Sequence, residues 1–582
     1  MTDDRTVEGG LDEPEEFEPV PGSLALASAE DTRALADWEA AAAAVLRKAR
    51  RMSDDDSDEL VWGKLSRRTL DGIAITPLGT PDLLEGVVTA GRPARAGDWD
   101  IRAYLSGSDA KSINEEALVD LNGGVTSLWV RADPDVDLAT LLDGVHLDLA
   151  PVVLDGSDPD AFVRFSRGGE LHPATNLGVD ARVSTSSTTE PGGAARLALD
   201  AGILGFVVDA TTVHDRGASE AQELGYSMAV GAAYLRDLTG AGVSIDEAAG
   251  LVEFRYAVTD DQFPSIAKLR AARRLWARVL ELSEASPVEQ RQHAVTSRPM
   301  MSKYDPWVNM LRTTVAAFAA GAGGADSVTV LPFDSPLGRP DALGRRIARN
   351  TSALLISESH VARVADPAGG AYAVEKLTDD LAVAAWGVLG RIEDGQPFDE
   401  RIAEVVAERE EGIARRTRPL TGLTEFPNLA EVLPKREIEE GAAAVRRYGA
   451  SFEALRDAPA AAPVFLATLG TVAEHTTRAT FAANLFAAGG IAVEVAGPTA
   501  DVGELLTAYR GQAVVCLAGC DAAYDDRGSK AIVALREAGA RWVVVAGVST
   551  SSTTEMFEGA DDSCAMGVDT LDFLTRTRGH LL

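Results

Sequence analysis

Val464-Phe-Leu-Ala-Thr-Leu-Gly-Thr-Val-Ala-Glu-His-Thr-Thr477 decides how the C-terminal part of this chain is read. The run Val464–Leu469 is short, apolar and bounded, which predicts a buried strand, and the residues after Gly470 turn to a helical pattern. The same unit then repeats. Strands are expected at Ile491–Val495, Ala513–Leu517, Trp542–Ala546 and, weakly, Ser563–Met566, each followed by a helical stretch. Five βα units in about 120 residues have the size and rhythm of a flavodoxin-like, doubly wound sheet.

Upstream of the small-residue linker Ala458–Pro463 the spacing is longer. Thr126–Val130, Val152–Leu154, Gly205–Asp209 and Val328–Phe333 read as strands, with helices such as Ile266–Leu282 and Trp307–Ala320 between them. Repeated β-then-α units over this length predict a parallel sheet covered by helices. A (β/α)8 TIM-type barrel is the leading closed form, and periodicity alone leaves an open doubly wound sheet in contention. The overall class is α/β. The expected divisions are an N-terminal arm and helix over 1–62, a barrel over 63–399, a helical connector over 400–462 and the flavodoxin-like domain over 463–582. Within them, residues 1–30 read as a flexible or partner-wrapping arm, Ala34–Arg51 as a helix, Ser53–Asp58 as an acidic break, and Glu404–Arg416 and Lys435–Tyr448 as connector helices.

At 582 residues the chain exceeds a single core. Its net charge of −34, from 89 acidic and 55 basic side chains, repels nucleic-acid phosphates and anionic lipid surfaces. Cys516, Cys520 and Cys564 make no disulfide framework, which fits a reducing cytoplasm. The start is acidic with no apolar run, so no signal or transit peptide is expected, and no stretch is apolar for long enough to span a bilayer.

Four segments, in order, carry a resemblance: Ile266-Ala-Lys-Leu-Arg-Ala-Ala-Arg273 with Leu275-Trp276; Tyr304-Asp-Pro-Trp-Val-Asn-Met-Leu-Arg312; Arg346-Ile-Ala-Arg-Asn350; and Asp366-Pro-Ala-Gly-Gly-Ala-Tyr-Ala-Val-Glu375. Asp98–Tyr104 and Gly217–Tyr226 are weaker matches. Over roughly residues 34–582 the chain resembles the adenosylcobalamin-dependent methylmalonyl-CoA mutase family. The resemblance implies a CoA-ester-binding barrel followed by a cobalamin-binding domain. It also implies a radical interconversion of methylmalonyl-CoA and succinyl-CoA, whose hard chemistry belongs to the cofactor.

Catalytic members of the family carry Asp-x-His-x-x-Gly after the first strand of the cobalamin domain. There the His ligates cobalt and the Asp orients it. Here Val472, Glu474 and Thr477 stand at those places. His475 comes one position late, which turns a helical side chain by about 100°, and is expected to be an ordinary surface residue. The family's Ser-x-Leu corresponds to Ala518-Gly-Cys520 and its Gly-Gly to Ala546-Gly547. In the barrel, Thr211 and Thr212 replace a Tyr-His pair with His214 displaced nearby, and Met300–Lys303 replace a His-x-Gln. Methionine cannot donate a hydrogen bond to a thioester carbonyl.

Cys516 and Cys520 read as buried small hydrophobes, and His293 and His360 as structural or solvent-facing. Arg346–Asn350 and Asp366–Gly370 read as fold-holding segments. Ser184–Thr189 and Ser549–Thr554 read as hydroxyl-rich turn or helix-entry sequences lacking a phosphate-loop lysine.

The reading therefore assigns no catalytic, cofactor-binding or metal-ligating residue to this chain. It expects a non-catalytic member paired as a heterodimer with a homologous catalytic large subunit. Adenosylcobalamin is then held by that partner, and CoA esters are met only through it. Two alternatives are a CoA-ester-binding regulatory protein and an active mutase with an unusual cobalamin mode.

Overall fold

The computed structural model describes residues 33–133, 135–166, 169–180, 190–438, 444–547 and 559–581. The expected arm over 1–30 and the two hydroxyl-rich segments lie outside these residues. The chain divides into two compact units, Met1–Arg67 with Ala74–Leu78, and Arg68–Ile73 with Gly79–Leu582.

In the first unit the alanine-rich stretch forms the helix Leu35–Lys48. Ala43 and Leu46 on its inner face close a small core with Met52 and Val61, and Trp38 and Trp62 pack at 4.8 Å between ring centroids. The acidic break after it is held by Arg47, which donates to the Asp56 carbonyl at 2.6 Å and pairs with Asp58 at 2.8 Å.

The second unit opens with a closed eight-stranded parallel barrel: β1 (Asp100–Gly107), β2 (Ser127–Ala132), β3 (Val152–Asp155), β4 (Asn176–Val179), β5 (Leu204–Asp209), β6 (Val252–Val258), β7 (Arg291–Thr296) and β8 (Ser327–Thr329). Ser327 of β8 pairs with both Asp100 and His293, which closes the ring and excludes an open sheet. β8 stops short of the expected Phe333, because Leu331 donates its backbone to the Thr296 hydroxyl at 2.8 Å and Pro332 has no N–H to offer. On the outside run α1 (Glu220–Gly240), α2 (Gln262–Leu282), α3 (Pro306–Ala322), α4 (Ala342–Ser357) and α5 (Tyr372–Glu393), with α5 packed on both α1 and α2. The capping box Ser219/Gln222 starts α1.

Next comes α6 (Phe398–Ala414), which covers most of the expected helix Glu404–Arg416 and starts six residues earlier. The second expected helix is corrected: residues 435–438 and 445–449 are not helical. Their hydrogen-bonding groups go to the barrel. The Glu437 carbonyl accepts from the Arg339 N–H at 2.7 Å, while the Arg446 and Tyr448 N–H groups donate to the carbonyls of Asp215 and Pro299 at 2.8 and 2.9 Å. Arg436 pairs with Asp334 and, at 2.8 Å, with Asp341. These contacts take the groups that an i→i−4 ladder would need.

After the linker a second parallel sheet forms from β9 (Val464–Thr468), β10 (Val493–Val495), β11 (Val514–Ala518), β12 (Trp542–Ala546) and β13 (Asp562–Cys564). Its spatial order is β10-β9-β11-β12-β13, the flavodoxin-like arrangement, with apolar clusters on both faces. The helices α7 (Val472–Ala488) and α8 (Asp521–Glu537) follow β9 and β11.

Candidate functional site

In both architectures the functional position is the carboxyl end of the strands: the mouth of the barrel and the switch point of the open sheet. A cavity of about 400 Å³ occupies the barrel mouth, lined by Tyr104, Trp129, Arg131, Thr211, Thr212, Arg298, Met301 and Lys303 among others.

Below this cavity the barrel interior is filled. Arg102 of β1 reaches across to Glu253 of β6 with bonds of 2.9 and 3.1 Å, and both side chains are 2% exposed. Above them the Arg255 guanidinium lies 3.9 Å from the Trp129 ring centroid, and Trp129 packs on Tyr104 at 4.4 Å. Arg255 donates to His293 Nδ1 at 3.1 Å and to Asp209 at 2.7 Å. His293 Nε2 therefore carries the proton and bonds the Thr329 hydroxyl at 2.8 Å. Burial, reinforced by Arg102, Arg255 and Arg298, holds His293 well below its ordinary pKa, so it is a neutral core residue.

The charges around the cavity are matched to one another. Arg298 pairs with Asp215 at 3.2 Å, Lys303 with Asp457 at 2.6 Å, Arg339 with Glu116 at 2.8 Å and Arg447 with Glu453 at 2.7 Å. Arg131 bonds Tyr104 and faces Asp155. A thioester carbonyl or carboxylate entering here would have to compete with these carboxylates for each cation.

Thr211 and Thr212 do reach the cavity, and Thr211 bonds Asp209 at 2.5 Å. His214 does not. It is buried beneath the mouth, with Nε2 2.7 Å from the Ser297 hydroxyl and Nδ1 3.2 Å from Glu223, which Lys268 holds at 2.7 Å. Burial pushes the Glu223 carboxyl up, but Lys268 and His214 outweigh it and keep it below the usual range. This Ser–His–Glu sequence of contacts has the polarity of a nucleophile triad. Ser297 is only 1% exposed, however, and its oxygen accepts from the Met300 N–H at 3.3 Å, so no substrate can approach it. The sequence reading missed this network, because its members are separated by 9 to 83 positions and share no motif.

The retained segments lie in the barrel wall. Arg345 and Arg349 both pair with Asp120, tying α4 to the helix Ala110–Asn122. Asp366 and Glu375 flank Arg270, which is fully buried.

In the second sheet, Gly470 leads straight into α7. The Thr471 N–H and hydroxyl donate to Glu474 at 2.7 and 2.8 Å, a capping box at the position where the family places its cobalt-binding imidazole. His475 is corrected from a surface to a buried residue. It is 6% exposed on the inner face of α7 with Ala479, Ala482 and Phe486, and its Nδ1 has no partner among the described residues. The helical turn that moves it off the ligand position also points it at the core.

The crevice beyond β11 and β12 is occupied by Arg478. Its guanidinium donates to the Gly519 carbonyl at 2.6 Å, pairs with Asp521 at 2.6 Å and lies 4.8 Å from the Tyr524 ring centroid. Gly547, at φ +92°, lies against the same guanidinium, and a side chain there would strike it. The Tyr524 hydroxyl donates to the Ala546 carbonyl at 2.6 Å and the Leu517 carbonyl at 3.1 Å. Cys516 and Cys564 are buried and Cys520 is half-buried. Among the described residues no group of three or more His, Cys, Asp or Glu side chains is arranged to hold a metal, and no helix is long and apolar enough to cross a membrane.

A sequence model described as methylmalonyl-CoA mutase matches residues 205–513. The chain is 43% identical to the methylmalonyl-CoA mutase small subunit of Streptomyces virginiae, over 93% of this chain and 95% of that one. It is 39% identical to the probable methylmalonyl-CoA mutase small subunit of Mycobacterium tuberculosis, over 88% and 92%. Against the methylmalonyl-CoA mutase of Rhizobium meliloti the identity is 28%, over 72% and 62%. With the barrel, the second parallel sheet and these matches together, the chain belongs to the methylmalonyl-CoA mutase family, and its near-full-length similarity is to small subunits of that family.

Proposed function

We propose that this chain is the non-catalytic small subunit of a cytoplasmic, heterodimeric methylmalonyl-CoA mutase. The homologous large subunit then carries the isomerase chemistry and binds both adenosylcobalamin and the CoA ester. The observation that supports this best is the state of the crevice at β11 and β12. When bound to a catalytic member, the cofactor supplies the radical chemistry. Here Arg478 and Tyr524 occupy the space, Glu474 caps a helix where an imidazole ligand belongs, and the nearest imidazole faces the core. The residues present do not fit the group, so no catalytic step is derived through it.

The barrel supports the same reading. Arg102, Glu253, Trp129 and Arg255 fill its axis, and the cations at its mouth are already paired. What this chain's residues do is hold a family-shaped scaffold rigid through buried ion pairs and tie the connector to the barrel.

Co-purification tests it. The tagged chain, expressed beside its homologous partner, is expected to bring that partner down in equal amount and to be inactive alone. Mutase turnover by the isolated chain would overturn the reading.

A further inference from the structure

Two folded parts of one chain move against each other by default unless the contact between them is large and apolar. The second sheet follows the barrel through the short linker Ala458–Pro463, yet the contact beside that linker is built as a core. Tyr304 from the β7–α3 loop, Ile413 of α6, Leu423 and Phe452 share one buried cluster with Val464 and Leu466 of β9, Phe486 of α7 and Phe573.

The helix Ala450–Asp457 lies in this contact and bonds to both sides of it. Toward the barrel, the Tyr304 hydroxyl donates to Asp457 at 2.8 Å and Lys303 pairs with the same carboxylate at 2.6 Å. The Lys303 N–H donates to Glu453 at 2.8 Å, and the guanidinium of buried Arg456 lies 3.8 Å from the Tyr304 ring centroid. Arg456 also donates to the Asn428 carbonyl at 2.6 Å. Toward the sheet, Arg578 donates to the carbonyls of Leu455 at 3.1 Å and Gly489 at 2.8 Å, which fastens the helix to the end of α7.

Strained backbone gathers at the same joint. Asp305, Arg416 and Phe426, at φ +49°, +58° and +57°, are three of the six non-glycine residues with positive φ among the described residues. The Asp305 N–H donates to Glu431 at 3.0 Å, and Arg416 donates to Glu425 at 2.8 Å while lying 5.3 Å from the ring of Phe481 on α7. Such conformations persist where the surrounding structure over-determines them, and they cluster at devices that must hold one arrangement against another.

We propose that this joint is a lock: the helix Ala450–Asp457 clamps the second sheet to the barrel, so that the two open and move as one body instead of swinging about the linker. Native-state hydrogen exchange of the full chain at rising urea tests it, with β2 and β6 reporting the barrel and β9 and β11 the sheet. In the parent, amides of all four strands should lose protection at the same urea concentration. The variant K303A/Y304F removes two bonds to Asp457 from the barrel side and keeps an aromatic ring under Arg456. In it, β9 and β11 should exchange at least tenfold faster while β2 and β6 stay as in the parent, and the largest particle dimension in small-angle X-ray scattering should grow. Tyr304→Phe alone should shift the same strands in the same direction, and supplies the measurement if the double variant does not fold.

A parent in which β9 and β11 open at lower urea than β2 and β6 would overturn the lock, because the sheet would already be independent. Variants in which all four strands still open together would overturn it too, since the bonds at Asp457 would then carry no coupling. Faster exchange confined to β2 and β6 would assign the same residues to the barrel's own stability and likewise end the proposal.

Discussion

The Arg478 guanidinium lies over the Tyr524 ring at 4.8 Å while donating to the Gly519 carbonyl at 2.6 Å, so one side chain covers the carboxyl ends of β11 and β12. It uses three kinds of contact: a carbonyl, an ion pair with Asp521 and an aromatic face. Restoring the family's ligand residues should therefore not restore the site. The variant V472D/E474H is expected to show no absorbance change with adenosylcobalamin, because Arg478 still fills the space. It should also melt at a lower temperature than the parent, because the capping box is lost.

The Arg102–Glu253 pair crosses the barrel interior with both partners almost wholly buried. Removing one partner strands a charge. Arg102→Met should cost about 3–5 kcal/mol, whereas R102M/E253M should cost far less, because two apolar side chains replace two desolvated ions. Urea titration of the two variants and the parent checks this, with the midpoint of the double variant well above that of the single one.

Asp71 is predicted to give the chain a pH-dependent weakness. Burial, then the neighbouring Glu220, push its pKa up to about 6, against the hydrogen bond from Ser219. A carboxyl whose folded pKa lies above its unfolded value holds its proton more tightly when folded. Its penalty is absent below about pH 4 and grows as pH rises through about 6. Asp71→Asn should thus remove that pH dependence, so the parent loses stability relative to the variant as pH rises from about 4 to above 6. Melting curves of both proteins across that range read it.

Native thiol labelling should find a single accessible cysteine. Cys516 and Cys564 are buried, and the Cys516 thiol is held well above its ordinary pKa by Cys564 first and by burial second. Half-buried Cys520 at the start of α8 should react alone in the folded chain, and all three in denaturant. Cys520→Ala should abolish the native reaction.

The second sheet was legible because its three central strands are buried and almost wholly apolar: Val464–Thr468, Val514–Ala518 and Trp542–Ala546 need no partner to be recognised. The barrel was harder to read. β6 and β7 carry Glu253, Arg255 and His293 toward the interior, which breaks the apolar run that marks a buried strand. β4 carries Asn176 and Gly178, the latter at φ +66° and pressed against the Leu154 carbonyl, where no side chain fits. At the candidate site, the lost ligands could be read at Val472 and Glu474. What replaced them could not, since the burial of His475 and the placement of Arg478 depend on the helix facing the sheet. The segment around Lys435–Tyr448 has helical composition, and the barrel's claims on its backbone are long-range contacts that no local pattern records.

Equilibrium dialysis of adenosylcobalamin against the isolated chain and against its complex with the large subunit, read by corrin absorbance, shows which polypeptide holds the cofactor. The isolated chain should stay colourless and the heterodimer should retain one corrin. A corrin retained by the isolated chain, with its cobalt coordinated by His475 or any other side chain of this subunit, would contradict the cofactor's placement on the partner.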